Sequence, residues 1–263
     1  MVASRSLLRL AGALACVLPT SHAAIVSDDF NDGNDQGWTH YDPLGPFGGG
    51  GSFTVSAGRY HLHAPISPNP AALGAGRAGS LRLDASVTDF FLTVDIVDWD
   101  DISNQAFGLL SRIREVGLGT TDGYGFLYVP VDHDFEIARF DNEADHRIGP
   151  IIGISLDPAR DYRITFAGTG NELTGEVFDL GDLSTPLLTL TAIDDAYPSG
   201  VTGLIVADAS SAGAVSDATF DNYALTVPVP EPSCATLLLA TASLLGRRMR
   251  LSSRSPTHRG VRC

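Results

Sequence analysis

The side chains best equipped for chemistry are acidic, and they cluster at the two ends of the chain's middle section. Asp28-Asp29-Phe30-Asn31-Asp32-Gly33 opens that section, and Asp217-Ala218-Thr219-Phe220-Asp221-Asn222-Tyr223 closes it. Asp28, Asp29, Asp217 and Asp221 are hard oxygen donors, and carboxylates gathered at short range are what a structural calcium ion (Ca2+) requires. The opening run is not an EF-hand loop, since counting from Asp29 its glycine comes one position early and position twelve is His40. The same acids can also cap turns and face water.

Two histidines offer different chemistry. His61 and His63 are two apart in a strand-like stretch, so they share one face, which is the arrangement of a transition-metal pair. No third ligand lies close in sequence, and an exposed strand face is the simpler reading of the pair. His133, between Asp132 and Asp134, reads as a solvated loop residue. Trp38, Trp99, Tyr124 and Tyr128 are candidate platforms for sugar rings, or else members of the core. Retaining glycosidases need two carboxylates about 5 Å apart. Asp98 with Asp100, or Asp95 with Asp101, comes nearest to that, although aspartates beside Trp99 also suit a solvated turn. There is no G-x-S-x-G, H-E-x-x-H or phosphate-cradling glycine loop, so no catalytic residue is assigned.

The elements that must position these groups are strands. Phe53–Ser56, then Ala57-Gly58, then Arg59–His63 predicts a hairpin. Phe90, Leu92, Val94 and Ile96 alternate with Phe91, Thr93, Asp95 and Val97, as in a sandwich strand with one buried face. Further strands are predicted at 105–113, 123–129, 135–140, 162–168, 173–179, 187–193, 201–206 and 219–227, with an irregular loop over 65–76. Turn residues punctuate them at short intervals, no window has helical periodicity, and no fixed-period repeat points to a propeller. The prediction is a single all-β antiparallel sandwich over residues 24–227.

The flanks read as addresses. Arg5 and Arg9 precede the apolar run Leu10–Leu18, and Ser21-His22-Ala23 supplies small residues at a cleavage site, which predicts a signal peptide over 1–23. From 228 onward, Pro228, Pro230 and Pro232 form an extended spacer around Glu231. A charge-free apolar block of 13 residues, Cys234–Gly246, follows, then Arg247, Arg248 and four more arginines. As a helix the block spans about 20 Å, short of the roughly 30 Å hydrocarbon core of a bilayer.

Charge and cysteine content narrow the partners. The 263 residues carry a net charge of −14, yet both flanks are basic, so residues 25–227 carry −21. Such a domain repels a phosphate backbone, which argues against nucleic acid and suggests solubility, divalent cations or neutral sugars. All 17 basic residues are arginine. The three cysteines, Cys16, Cys234 and Cys263, all fall in the flanks, so the domain must be held by burial rather than disulfides.

Two resemblances follow from these residues. The order Pro230-Glu231-Pro232, apolar block and Arg247-Arg248 resembles the bacterial PEP-CTERM sorting signal. That resemblance implies an exosortase as partner, transient association with the inner membrane, and delivery to the cell surface or extracellular matrix. An ordinary short C-terminal anchor is the alternative. The opening acidic motif with Gly37-Trp38, the segments Val97-Asp98-Trp99 and Gln105–Leu110, and the closing acidic motif together resemble the concanavalin A-like (LamG-type) jelly roll. In that fold the first and last strands pair, which implies that the two acidic ends meet. The combined expectation is a secreted, non-catalytic surface protein that binds or organises exopolysaccharide. A glycoside hydrolase or lyase, or a purely structural surface protein, is the alternative.

Overall fold

The computed structural model describes residues 22–101, 104–210 and 213–228. Residues 1–21 of the predicted signal peptide, Cys16 among them, and residues 229–263 of the predicted sorting tail, including Pro230, Glu231, Pro232, Arg247 and Arg248, lie outside the described residues. Among the described residues, no helix is long and apolar enough to cross a membrane.

The described residues form fifteen strands: β1 (His22–Asp28), β2 (Thr39–Tyr41), β3 (Ser52–Ser56), β4 (Arg59–Ala64), β5 (Arg77–Val87), β6 (Phe90–Trp99), β7 (Gln105–Arg114) and β8 (Asp122–Val129) come first. They are followed by β9 (Asp134–Asp141), β10 (Ala144–Gly153), β11 (Tyr162–Thr169), β12 (Glu172–Asp179), β13 (Leu188–Ile193), β14 (Gly200–Asp208) and β15 (Ser216–Pro228). One sheet runs β13-β12-β11-β6-β15-β4-β3, with β1 also paired to β15; the other runs β10-β9-β8-β7-β14-β5-β2. Every pairing is antiparallel.

The two sheets obey different patterns. In the eight-stranded sheet, β4, β12 and β13 alternate strictly between core and solvent, as expected of a sheet covered on one side. In the seven-stranded sheet, β7 and β8 are buried almost continuously, which means that both of their faces are covered. One face meets the main core between the sheets, around Phe107, Phe126, Phe135, Phe166 and Phe220. The other carries a second apolar cluster that includes Leu81, Leu110, Leu127, Val129 and Ile205.

Most predicted strands occur within one to three residues of their expected ends, but four segments were not expected as strands. β10 is exposed along nearly its whole length and holds Gly149 and Pro150, as a sheet edge permits, so it shows no hydrophobic alternation. β5 is rich in Arg, Ala, Gly and Ser because it packs against neighbouring backbone, and a Cβ on Gly79 would lie 2.8 Å from the Leu204 carbonyl oxygen. β1 lies where the signal peptide was expected to end, and β2 is only three residues long. The loop over 65–76 contains one helical turn, Pro70–Leu73.

One end of the sandwich is held by Arg112, only 1 % exposed and lying at a bulge in β7 with φ of +50°. Its guanidinium lies over the Phe90 ring at 5.4 Å and donates to the carbonyls of Thr88 (3.0 Å), Gly170 (2.8 Å) and Tyr197 (3.3 Å). Three separate connections, between β5 and β6, β11 and β12, and β13 and β14, therefore share one donor. Arg112→Met should leave these carbonyls unsatisfied and cost about 3 kcal/mol in urea unfolding. A loss below roughly 1 kcal/mol would show that the connections hold themselves.

Candidate functional site

The second apolar cluster lies on the outward face of the seven-stranded sheet, where a half-exposed sandwich would normally be polar. Strand register puts its residues in rows across the sheet. Tyr41 pairs with Gly79, Gly79 with Ile205, Ile205 with Gly108, Gly108 with Leu127, and Leu127 with Glu136. A parallel row runs Leu81, Gly203, Leu110, Gly125, Ala138 and Arg147. Branched side chains thus alternate with glycine or alanine, which allows a shallow floor. Gly108 also answers to the backbone, since a Cβ there would lie 2.2 Å from the Phe126 carbonyl oxygen. In front of the floor is a cavity of about 410 Å³.

Charged groups close it on opposite sides. Glu143, at the turn between β9 and β10, accepts from Arg77 Nε (2.8 Å) and Nη2 (2.7 Å), from the Tyr41 hydroxyl, and from the backbone N–H of Gly119. Arg77 Nη1 also donates to the carbonyls of Leu73 (3.1 Å) and Ala75 (2.7 Å), which seats the helical turn on the rim. Burial and the Glu143 carboxylate push the Tyr41 hydroxyl up to about 12, so it stays a donor at neutral pH.

On the other side, Glu136 lines the cavity, and Asp134, two residues earlier on β9, projects from the same face just outside it; their exposures are 4 % and 6 %. Arg147 of β10 donates through Nε to Glu136 and lies 3.4 Å from Asp134 Oδ2 through Nη1. Asp134 Oδ1 is buried with no hydrogen-bond partner. Burial raises both carboxyls above their ordinary range, against the pull of Arg147.

The acids singled out in the sequence are elsewhere. β1 does pair with β15, but antiparallel register puts Asp28 opposite Tyr223 and Asp217 opposite His63, six residues farther along β15. That is about 20 Å of strand, so the four aspartates do not form one site. Asp28 is occupied as an anchor, accepting from Phe30 N–H (2.9 Å) and Trp38 Nε1 (2.8 Å). Asp221 does come near Asp29. Burial, with the charges of Asp95 and Asp29, raises its carboxyl. Asp95 is buried under Arg163, which donates to both its oxygens at 2.7 and 2.9 Å, and with Asp98 it belongs to β6 of the other sheet.

The four aromatic platforms proposed from sequence are corrected by burial. Trp38 packs with Phe30, Tyr60 and Tyr223, and Trp99 packs with Phe107, Tyr128 and Tyr162. Tyr124 and Tyr128 are fully enclosed between the sheets, their hydroxyls bonded to Asp194 (2.6 Å) and to Leu156 N–H (3.1 Å). None of the four offers a ring face to solvent. The signal for the real rim was Asp134-Phe135-Glu136, acids flanking an apolar residue in a strand.

Because the folded protein holds the Asp134 and Glu136 protons more tightly than the unfolded chain, their contribution to stability is greatest at low pH. It declines as pH rises past the ordinary values of 3.8 and 4.5 and through the raised ones. Asp134→Asn should therefore match the wild type at the acid end of the range and be the more stable of the two at pH 7. Thermal melts from pH 3 to 8 check this, and a difference independent of pH would refute it.

No protein-family model matches the chain, and no curated protein matches it. Solved structures do. The carbohydrate-binding module CBM66 from Bacillus subtilis aligns with a TM-score of 0.52 at 19% identity, over 73% of this chain and 96% of that one. A prokaryotic β-1,3-1,4-glucanase (lichenase) derived from a mouse hindgut metagenome aligns at 0.52 and 14% identity, over 80% and 100%. The basic winged bean lectin solved with Tn-antigen aligns at 0.50 and 10% identity, over 80% and 100%. At such identities the likeness is one of fold, and the fold of this chain is a two-sheet antiparallel sandwich of the concanavalin A-like jelly-roll kind.

Proposed function

We propose that the trough on the seven-stranded sheet binds a carbohydrate chain without cleaving it, and that the protein is a secreted binder or organiser of extracellular polysaccharide. The observation that carries this reading is the apolar floor bordered by buried hydrogen-bonding groups. Sugar rings present apolar C–H faces and a periphery of hydroxyls, which suit Leu110, Leu127 and Ile205 below and Glu136, Arg147, Tyr41 and Glu143 around them. A cavity of about 410 Å³ is within the usual size of small-ligand sites. Solved neighbours named as a carbohydrate-binding module and a lectin support the reading by analogy of fold.

Affinity electrophoresis against a panel of neutral and acidic polysaccharides tests it. Retardation without release of reducing sugar is expected, and Ala106→Trp, which fills the floor from β7, should weaken it at least about tenfold while leaving the melting temperature within a few degrees. Neither retardation nor release on any polysaccharide would sink the carbohydrate reading. Asp134 and Glu136, acids at alternate positions of one strand, favour the hydrolase as the second reading. Sugar release abolished by Glu136→Gln would establish that reading instead.

The proposal includes export and exosortase processing, supported by the arginine-led apolar start and the Pro-Glu-Pro tail. Intact mass of the protein recovered from culture medium or envelope should lack both the first 23 residues and the segment after Pro232. A cytosolic protein of full 27.7 kDa mass would overturn it.

A further inference from the structure

The outward face of the eight-stranded sheet brings His61 and His63 of β4 to an acidic partner that the sequence alone does not reveal. In the antiparallel register His63 is directly opposite Asp217 of β15, and His61 is opposite Thr219. Directly opposed residues place their Cβ atoms about 5 Å apart, within reach of one ion. His61 Nε2 lies 3.5 Å from Asp217 Oδ2, and the two imidazole rings are 6.5 Å apart between centroids. All three side chains are half-buried, so their stems are held by the sheet while their tips reach solvent. Asp98 of β6 is opposite Thr219 on the other side of β15 and adds negative charge to the same face. Arg59, the nearest cation along β4, acts on Asp221 at the far side of the cluster.

We propose that His61, His63 and Asp217 form a binding site for a divalent transition metal such as zinc, separate from the trough. Two imidazole nitrogens and one carboxylate oxygen, with water as the fourth ligand, are an accepted tetrahedral zinc set. Two imidazoles on one tetrahedral ion have centroids about 5 Å apart, by bond lengths near 2.0 Å. As placed, no three His, Cys, Asp or Glu side chains among the described residues are arranged to hold a metal ion. Metal binding therefore requires the two rings to close from 6.5 Å to about 5 Å between centroids. The donor set, two nitrogens and one oxygen, selects a transition metal over calcium, which takes six to eight oxygens.

Isothermal titration of the full-length protein with ZnCl2 tests this. One ion per chain is expected. His61→Ala and His63→Ala should each lower the affinity about tenfold or more, Asp217→Asn should lower it severalfold, and His133→Ala should leave it unchanged. Far-ultraviolet circular dichroism of each variant without metal verifies that the sheet is intact. CaCl2 should give no heat at this site, and polysaccharide retardation should survive in the His61→Ala variant. Absence of zinc binding, binding unchanged in the double histidine variant, or an Asp217→Asn affinity equal to wild type would each overturn the site.

Discussion

The ion pair between Arg77 and Glu143 joins opposite margins of one sheet. Arg77 stands on β5, next to the edge strand β2, while Glu143 stands at the tip of the hairpin formed by β9 and the other edge strand, β10. A sheet of seven twisted strands turns its corners toward one another, and this pair fastens two of them across the open face. Both members are almost fully buried, so each satisfies a charge that would otherwise be costly to enclose. Asn142 and Glu143 both take left-handed backbone angles, φ of 52° and 66°, to aim the carboxylate inward. Tyr41, Gly119 and the helical turn at Pro70–Leu73 are all secured through the same two side chains.

That closure explains why one outer face is apolar without being a liability. Leu110, Leu127, Val129 and Ile205 would be an exposed patch on a flat sheet, whereas beneath the curved rim they are buried. The floor can be shallow because small residues alternate with large ones, and the strands can approach closely because Gly108 and Gly203 carry no Cβ. The buried apolar side chains therefore form two separate layers. Aromatic rings and aliphatic side chains together fill the space between the sheets, and a smaller, mainly aliphatic cluster faces the trough.

The polar groups divide in the same way. Asp28 holds Trp38, Asp95 is clasped by Arg163 and Asn222, and Arg112 gathers three connections, so each of these charges is spent on architecture. Asp134 and Glu136 keep raised protonation and share one arginine. Raised carboxyls beside a cleft mark it as a candidate site.

The amino-acid sequence by itself determined the strands whose two faces differ, because alternation is a property of a few consecutive residues. The hairpin of β3 and β4, the run from Phe90 to Val97 and the strands β11 to β13 were legible for that reason, as was the reliance on burial in a domain without cysteine. Strands covered on both sides, or exposed on both sides like β10, carry no such local mark. Only tertiary structure decided which side chains meet, since β15 touches β1, β4 and β6 at different registers along one strand. It separated Asp217 from Asp28, set it beside His61 and His63, and enclosed Trp38 and Trp99 between the sheets. Pairing partners far apart in the chain are chosen by the packing of the whole domain, and no short window of residues encodes them.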